Sequence, residues 1–343
     1  MRQIQGILFL SLIGCIVKID AGPANPHPFQ IDAKDGQQIN IFHQGSSPFD
    51  SFFSDENGYT IIQEHNSSSF VYATKDDTSG ELVSSGIVVG DGNPKELGIP
   101  RKLRPSKVRA SRKLRKSNSK TNHRELSAPG GILKNLVVLV RFRNHKTRIL
   151  PTADDFDVVF NHEEKDNEHH TLAPTGSVRD VFRINSYGKF KVESKVYGWV
   201  DLPETEAYYA AGKGGFGTPE FVQALHTAMD TLRDDFDLGD FSQFDGNHDG
   251  KVDVVTLIHS GYAAETSGPD VDGAESDDRI WSHHKKLLKR QRWYPKPNKK
   301  RFGASVNRYT TAPALYGTTG SAIGRVGVIC HEIGHVIGKH TCL

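Results

Sequence analysis

Two histidines four residues apart, His331 and His335, constrain this chain more than any other feature of the sequence. On a helix, residues four apart lie on one face, so both imidazoles can present a nitrogen to the same metal ion. Glu332 follows His331 directly and lies roughly 100° further round the helix. The spacing therefore predicts a helix that offers two nitrogen ligands with a carboxylate beside them.

Zinc is the metal that this arrangement favours. Bound zinc lowers the pKa of a water ligand toward neutrality. Glu332 is then placed to take up a proton as general base and to return it to a leaving amine. The apolar residues Ile333, Val336 and Ile337 are predicted to pack the other side of the helix, which Gly338 ends. The competing interpretation is an amphipathic helix with surface histidines.

A second motif has the spacing of a calcium-binding loop. Oxygen-bearing side chains stand at the first, third, fifth and ninth places, a backbone carbonyl serves the seventh, and Gly250 stands at the sixth for a sharp turn. The predicted calcium ligands are Asp245, Asn247, Asp249, Lys251 and Asp253. Thr256 stands where an EF-hand has Glu, so a shortened calcium loop is expected. The alternative is a polar turn without an ion.

The N-terminus predicts export. Arg2 gives a positive start, residues 4–17 are almost wholly apolar, and small residues follow at Ala21 and Gly22. This pattern predicts a signal peptide over residues 1–22 and a secreted, extracellular protein. No later segment is apolar and long enough to predict a membrane span.

Charge is unevenly distributed, although the formal net charge is only +2. Residues 101–124 contain many Lys and Arg and no acidic residue. Such a stretch is typical of a solvated linker that proteases cleave. Nucleic-acid binding is not predicted, because no interleaved aromatic residues accompany the charge. We expect a β-rich propeptide over residues 23–100, a basic linker over 101–130 and a catalytic domain over 131–343.

Within residues 131–343, strand and helix patterns alternate. Residues 136–140 and 252–258 read as buried strands, and residues 192–200 as a further strand. Helices are predicted to begin at Ser177, which forms a capping box with Asp180, and at Thr218 before Pro219. An edge strand is expected over Arg279–His283, and His283 and His284 are expected to be exposed rather than metal ligands.

Several of these motifs resemble, in the same order, the immune inhibitor A family of secreted zinc peptidases. The matching segments are Asp55–Thr60, Gly98–Pro100, Gly176–Asp180, Ser186–Gly188, Gly198–Trp199, Tyr208–Tyr209, the Asp245 loop, Ile280–His283 and Gly327–Gly338. The resemblance implies an α+β, metzincin-like fold with a twisted mixed sheet and an active-site helix. It also implies a zymogen that hydrolyses peptide bonds in protein substrates, with zinc held by two His and a third ligand.

The resemblance departs from the family's pattern at the third ligand. Family members have Asp three residues beyond the helix-ending Gly, where this chain has Thr341. His340 is one place earlier and is the candidate replacement. The segment that would complete the site is expected to lie beyond Leu343, so the catalytic domain is predicted to be incomplete. The alternative function is therefore a catalytically incomplete, calcium-binding secreted protein derived from such a peptidase.

Overall fold

The computed structural model describes residues 28–33, 38–45, 51–63, 70–104, 131–163, 170–236, 238–266, 268–295 and 303–337. The predicted signal peptide, most of the basic linker and His340 lie outside these residues. No helix in the described ranges is both long and apolar enough to cross a bilayer.

The N-terminal part forms an antiparallel sheet of six described strands in simple chain order. The strands are β1 (Phe29–Asp32), β2 (Gln38–Gln44), β3 (Phe52–Asp55), β4 (Thr60–Gln63), β5 (Phe70–Lys75) and β6 (Leu82–Val88). Its own small core includes Ile41, Ile61 and Tyr72. The β-rich character predicted for residues 23–100 is therefore observed.

The second sheet is mixed, with five described strands in the order β10-β11-β9-β7-β8. They are β7 (Ile132–Arg141), β8 (Lys191–Asp201), β9 (Val254–Tyr262), β10 (His283–Lys286) and β11 (Arg308–Leu315). Strand β7 pairs in parallel with β8 and β9, and β11 is parallel to β9. Strand β10 is antiparallel to β11 and forms one edge.

Helices cover both faces of this sheet, which explains why β7 and β9 are buried almost throughout. The described helices are α1 (Ala153–Asn161), α2 (Val178–Asn185), α3 (Glu206–Ala210), α4 (Pro219–Asp234) and α5 (Val326–Val336). Helices α3 and α4 pack on Leu136 and Val138 of β7. Helices α1, α2 and α5 share a core with Val137 and Leu139, on the opposite face.

The predicted helix starts are confirmed. Ser177 accepts a hydrogen bond from the Asp180 amide, and the Asp180 side chain accepts one from the Ser177 amide, so the capping box forms. Thr218 caps α4 in front of Pro219. Phe236 lies beyond the end of α4 and is 43% exposed.

The predicted edge strand is wrong in its bounds, because β10 begins at His283 rather than at Arg279. The preceding amides bond to loops and side chains instead of to a strand. The Ile280 amide donates to Glu206 Oε1, the Trp281 amide to the Gly214 carbonyl, and the Ser282 amide to Glu265 Oε2. Because these three amides bond outside the sheet, residues 280–282 do not extend strand β10.

Candidate metal centre

Helix α5 carries the two histidines on the side that faces away from the core. Ile329, Ile333 and Val336 are buried against the sheet, which fixes the rotation of the helix. His331 and His335 are partly buried, and Glu332 is fully buried. The pattern of apolar residues predicted from the sequence therefore orients this helix as expected.

The two imidazoles converge. Their Nε2 atoms lie 3.1 Å apart, and the rings meet edge to face with centroids 4.7 Å apart. A carboxylate oxygen of Glu332 completes a group whose ligand atoms all lie within 4.8 Å of one another. Of the residues that the structure describes, these three form the one group of this kind.

The donor set fits zinc. Two nitrogens bound to one tetrahedral zinc at their usual bond lengths would lie about 3.3 Å apart, close to the observed separation. Partly buried imidazoles are the nitrogen ligands that zinc takes in proteins. His331 and His335 would hold the ion, and at least one further ligand is required.

Arg308 on strand β11 lies at the C-terminal end of α5. Its Nη1 donates a hydrogen bond to the Val336 carbonyl at 3.3 Å. The carbonyls of the last helical turn have no partner within the helix, and the C-terminal end of a helix attracts positive charge. Arg308 therefore stabilises the turn that follows His335. Nothing in the local sequence around Arg308 indicates this role.

His283 of β10 is buried and His284 is partly buried, contrary to the expectation that both are exposed. His283 is fully buried, with Nε2 2.9 Å from the Tyr309 hydroxyl and Nδ1 2.7 Å from the Trp281 carbonyl. These contacts give His283 a structural role.

His284 is partly buried and its ring stacks on His335, with centroids 6.3 Å apart. Burial lowers the pKa of His284 well below its usual range, and the charge of Arg308 adds to this effect. The structure therefore brings a neutral imidazole next to the predicted ligand His335.

The Asp245 loop has a compact turn held by its own carboxylates. Asp245 Oδ2 accepts a hydrogen bond from the Gly250 amide at 2.7 Å, and Oδ1 accepts one from the Asp249 amide at 3.0 Å. His248 and Gly250 adopt left-handed backbone conformations, with φ of 56° and 78°. Lys251 pairs with Asp249 at 2.5 Å. The calcium ligands predicted here stay a prediction.

A mixed sheet with a helix that brings two imidazoles and a carboxylate together defines the class of the protein, which is a metallopeptidase. Residues 154–340 match the family described as immune inhibitor A peptidase M6, catalytic domain. The chain belongs to this family.

Two relatives, both called pre-pro-metalloprotease PrtV and from two strains of Vibrio cholerae serotype O1, are each 27% identical to this chain over 176 residues. Each match covers 47% of this chain and 18% of the relative, so the chain spans less than a fifth of the length of these proteins.

Proposed function

We propose that this chain is the precursor of a secreted zinc endopeptidase, with His331 and His335 as zinc ligands and Glu332 as general base. The observation that carries the proposal is the 3.1 Å approach of the two Nε2 atoms beside the Glu332 carboxylate. Membership of a peptidase family gives the reaction class, which is hydrolysis of peptide bonds in protein substrates.

His331, His335 and Glu332 have different roles in the proposed reaction, set by their positions on α5. A bound zinc ion would polarise the scissile carbonyl and make a water molecule a better nucleophile at neutral pH. The Glu332 carboxylate, which is shielded from solvent, takes the proton from the attacking water. It then delivers this proton to the nitrogen of the leaving peptide. Arg308 holds the end of the helix and so keeps His335 in register with His331.

Export and processing are further parts of the proposal. The signal-peptide pattern of residues 1–22 supports secretion, and the name of the relatives describes a pre-pro form. The N-terminal sheet has its own core and is followed by the basic stretch, which supports a propeptide over residues 23–100 and cleavage within 101–130. N-terminal sequencing of secreted active protein tests this part. A start between residues 115 and 131 is expected, and a start near Gly22 would contradict it.

The third ligand and the calcium ions complete the proposal. His340 is proposed as the third zinc ligand, and it lies outside the described residues. The residues Asp245, Asn247, Asp249, Lys251 and Asp253 are proposed to bind calcium, a metal that stiffens loops in exported proteins. The hydrogen-bonded turn around Asp245 supports a loop that is organised before any ion binds.

Casein cleavage tests the function. Glu332→Gln keeps the shape of the side chain and removes the base, so we expect cleavage to fall by a factor of about 100 or more. Glu193→Gln changes an exposed carboxylate on strand β8 and is expected to leave cleavage unchanged. No cleavage by the unaltered chain would favour the alternative function, a catalytically incomplete protein. Equal cleavage by both variants would contradict the role of Glu332.

A further inference from the structure

One face of strands β10 and β11 is directed at helix α5 and carries positive charge. In the β10–β11 pair, His284 lies opposite Thr310, and Lys286 lies opposite Arg308. Arg308 contacts α5 at Val336, and His284 stacks on His335. Side chains two residues apart on a strand share a face, so Lys286 lies on this same side, about 7 Å from His284 along the strand.

Like charges directly opposite each other in a sheet are unfavourable, and here Lys286 faces Arg308. Arg292 is a third cation near this pair. Its neighbour Trp293 exchanges backbone hydrogen bonds with Val306, just before β11, and this holds Arg292 close to the strand. Partial desolvation lowers the pKa of Lys286, although its side chain is largely exposed, and the charges of Arg308, Arg292 and Lys251 lower it further. The three cations Lys286, Arg292 and Arg308 are therefore close enough to repel one another.

The acidic groups nearby are already engaged. Asp249 pairs with Lys251 at 2.5 Å. Asp253 accepts hydrogen bonds from the amides of Lys134 and Gly246. The charges of Asp249 and Asp253 also act on Arg308, and the three residues line one small cleft. Across the described ranges, no carboxylate lies within 4.0 Å of Lys286, Arg292 or Arg308. The Nε atom of Arg292 is buried and has no hydrogen-bond partner there.

A structural role accounts for only part of this cluster. The negative end of α5 explains Arg308, which donates to the Val336 carbonyl. It does not explain Lys286, which is exposed, or the buried donor of Arg292. A perturbed charge cluster of this kind in a cleft is a candidate for a functional site.

We propose that Lys286 and Arg292 form a subsite that binds an acidic side chain of the substrate, so that peptides with Asp or Glu near the scissile bond are preferred. Lys286 lies two residues beyond His284, whose ring stacks on the candidate ligand His335. The inference rests on the proposed peptidase function. One lysine and one arginine suffice to pair a single carboxylate, because the guanidinium offers two parallel donors and the ammonium adds a point charge.

Peptide binding to the full-length Glu332→Gln variant tests the subsite without cleavage. Two fluorescein-labelled decapeptides are compared, one with two central Glu residues and one with Gln in their place. We expect the Glu peptide to bind about tenfold more tightly at low salt, and the difference to shrink at about 0.5 M salt. Adding Lys286→Glu and Arg292→Glu should abolish or reverse the preference. Lys191→Glu, an exposed lysine on β8 at the opposite edge of the sheet, is the matched control and should retain it.

Equal affinity for the two peptides, no detectable binding of either, or the same loss in the Lys191→Glu control would overturn the proposal. Zinc content measured on the same samples separates it from the proposed function. Retained zinc with equal peptide affinities overturns the subsite alone. A preserved preference for the Glu peptide without zinc overturns the metal centre alone.

Discussion

Arg308 on strand β11 donates a hydrogen bond to the carbonyl of Val336, one residue beyond the candidate zinc ligand His335. The contact ties the C-terminal end of α5 to strand β11 of the mixed sheet. It lies at the end of the helix from which the chain leads to the proposed third ligand, His340. The order of this helix end is therefore expected to influence how firmly the centre holds its metal.

Replacing Arg308 by Met should weaken both stability and metal retention. The Val336 carbonyl loses its charged donor, so we expect the free energy of unfolding to fall by about 1–2 kcal/mol. Urea unfolding checks the stability, and zinc retained after dialysis against a weak chelator checks the centre. Arg325→Met removes an exposed arginine at the other end of the same helix and is the control. Unchanged zinc retention in Arg308→Met would contradict the positioning role.

The stability of the Asp245 loop should depend on the Asp245 carboxylate, whether or not calcium is bound. Asp245→Ala removes the acceptor of two backbone amides, which we expect to cost about 2 kcal/mol. If the loop binds calcium as proposed, millimolar calcium will raise the Tm of the wild type and not that of the variant. Differential scanning calorimetry with Asp235→Ala, an exposed carboxylate, as control decides this. A calcium-independent Tm in the wild type would leave the loop as a polar turn.

The buried carboxyl group of Glu206 should make the stability of the protein depend on pH. No sequence motif indicates this dependence. The Glu206 carboxylate is buried, with Oε2 3.5 Å from His145 Nε2 and Oε1 3.7 Å from His259 Nδ1. Burial raises the pKa of Glu206 from 4.5 to about 8, against the lowering effect of the Ile280 amide and of the charges of Arg148 and Arg279.

The raised pKa means that folding favours the protonated carboxyl. This contribution to stability is fully present below pH 4.5 and is lost as the pH rises through about 8. We therefore expect wild type to lose stability relative to Glu206→Gln between about pH 5 and pH 8, by on the order of a few kcal/mol. Urea unfolding at each pH measures the difference. A difference that is constant with pH would contradict the account.

The N-terminal sheet contacts the catalytic part where the ring of His43 meets Trp281 edge to face, with centroids 5.3 Å apart. Burial lowers the pKa of His43 to about 4, and the charge of Arg279 adds to this effect. Folding thus favours neutral His43, and this contribution is lost as the pH falls from 6.5 through about 4.

Trypsin cleavage in the basic stretch of residues 101–130 gives two fragments whose association can be followed by gel filtration. We expect them to elute together at about pH 7.5 and to separate near pH 4, where His43 takes up its proton. Trp281→Ala should separate them at neutral pH, because a ring contact between the two parts is lost. Tyr187→Ala truncates an aromatic side chain that is 91% exposed and should have no effect. Fragments of Trp281→Ala that stay together would contradict the role of this contact.

Local patterns in the sequence were sufficient for much of the fold. The apolar run at 136–140 identified the internal strand β7, and Ser177 with Asp180 identified the start of α2. The same patterns did not identify strand β11, because Thr, Ala and Pro313 give it no clear alternation. Its conformation depends on pairing with β9, which is distant in sequence.

The candidate site likewise contains residues that local sequence predicts and residues that only the tertiary structure brings together. His331, Glu332 and His335 lie within one helix, so their spacing alone predicted that they converge. Arg308 and His284 reach the site only because β10 and β11 pair beneath α5. The expectation that His284 is exposed was wrong for this reason, since the helix that covers it begins only at Val326, far along the chain.

The zinc content of the purified chain tests the central claim most directly. Elemental analysis is made on the wild type, on His331→Ala and on the Glu193→Gln control, after dialysis against a weak chelator. We predict about one zinc per chain in the wild type and the control, because two nitrogens already converge at zinc-binding distance. His331→Ala should retain almost none. A wild type without zinc, or a His331→Ala variant that retains as much as the wild type, would contradict the proposed metal centre.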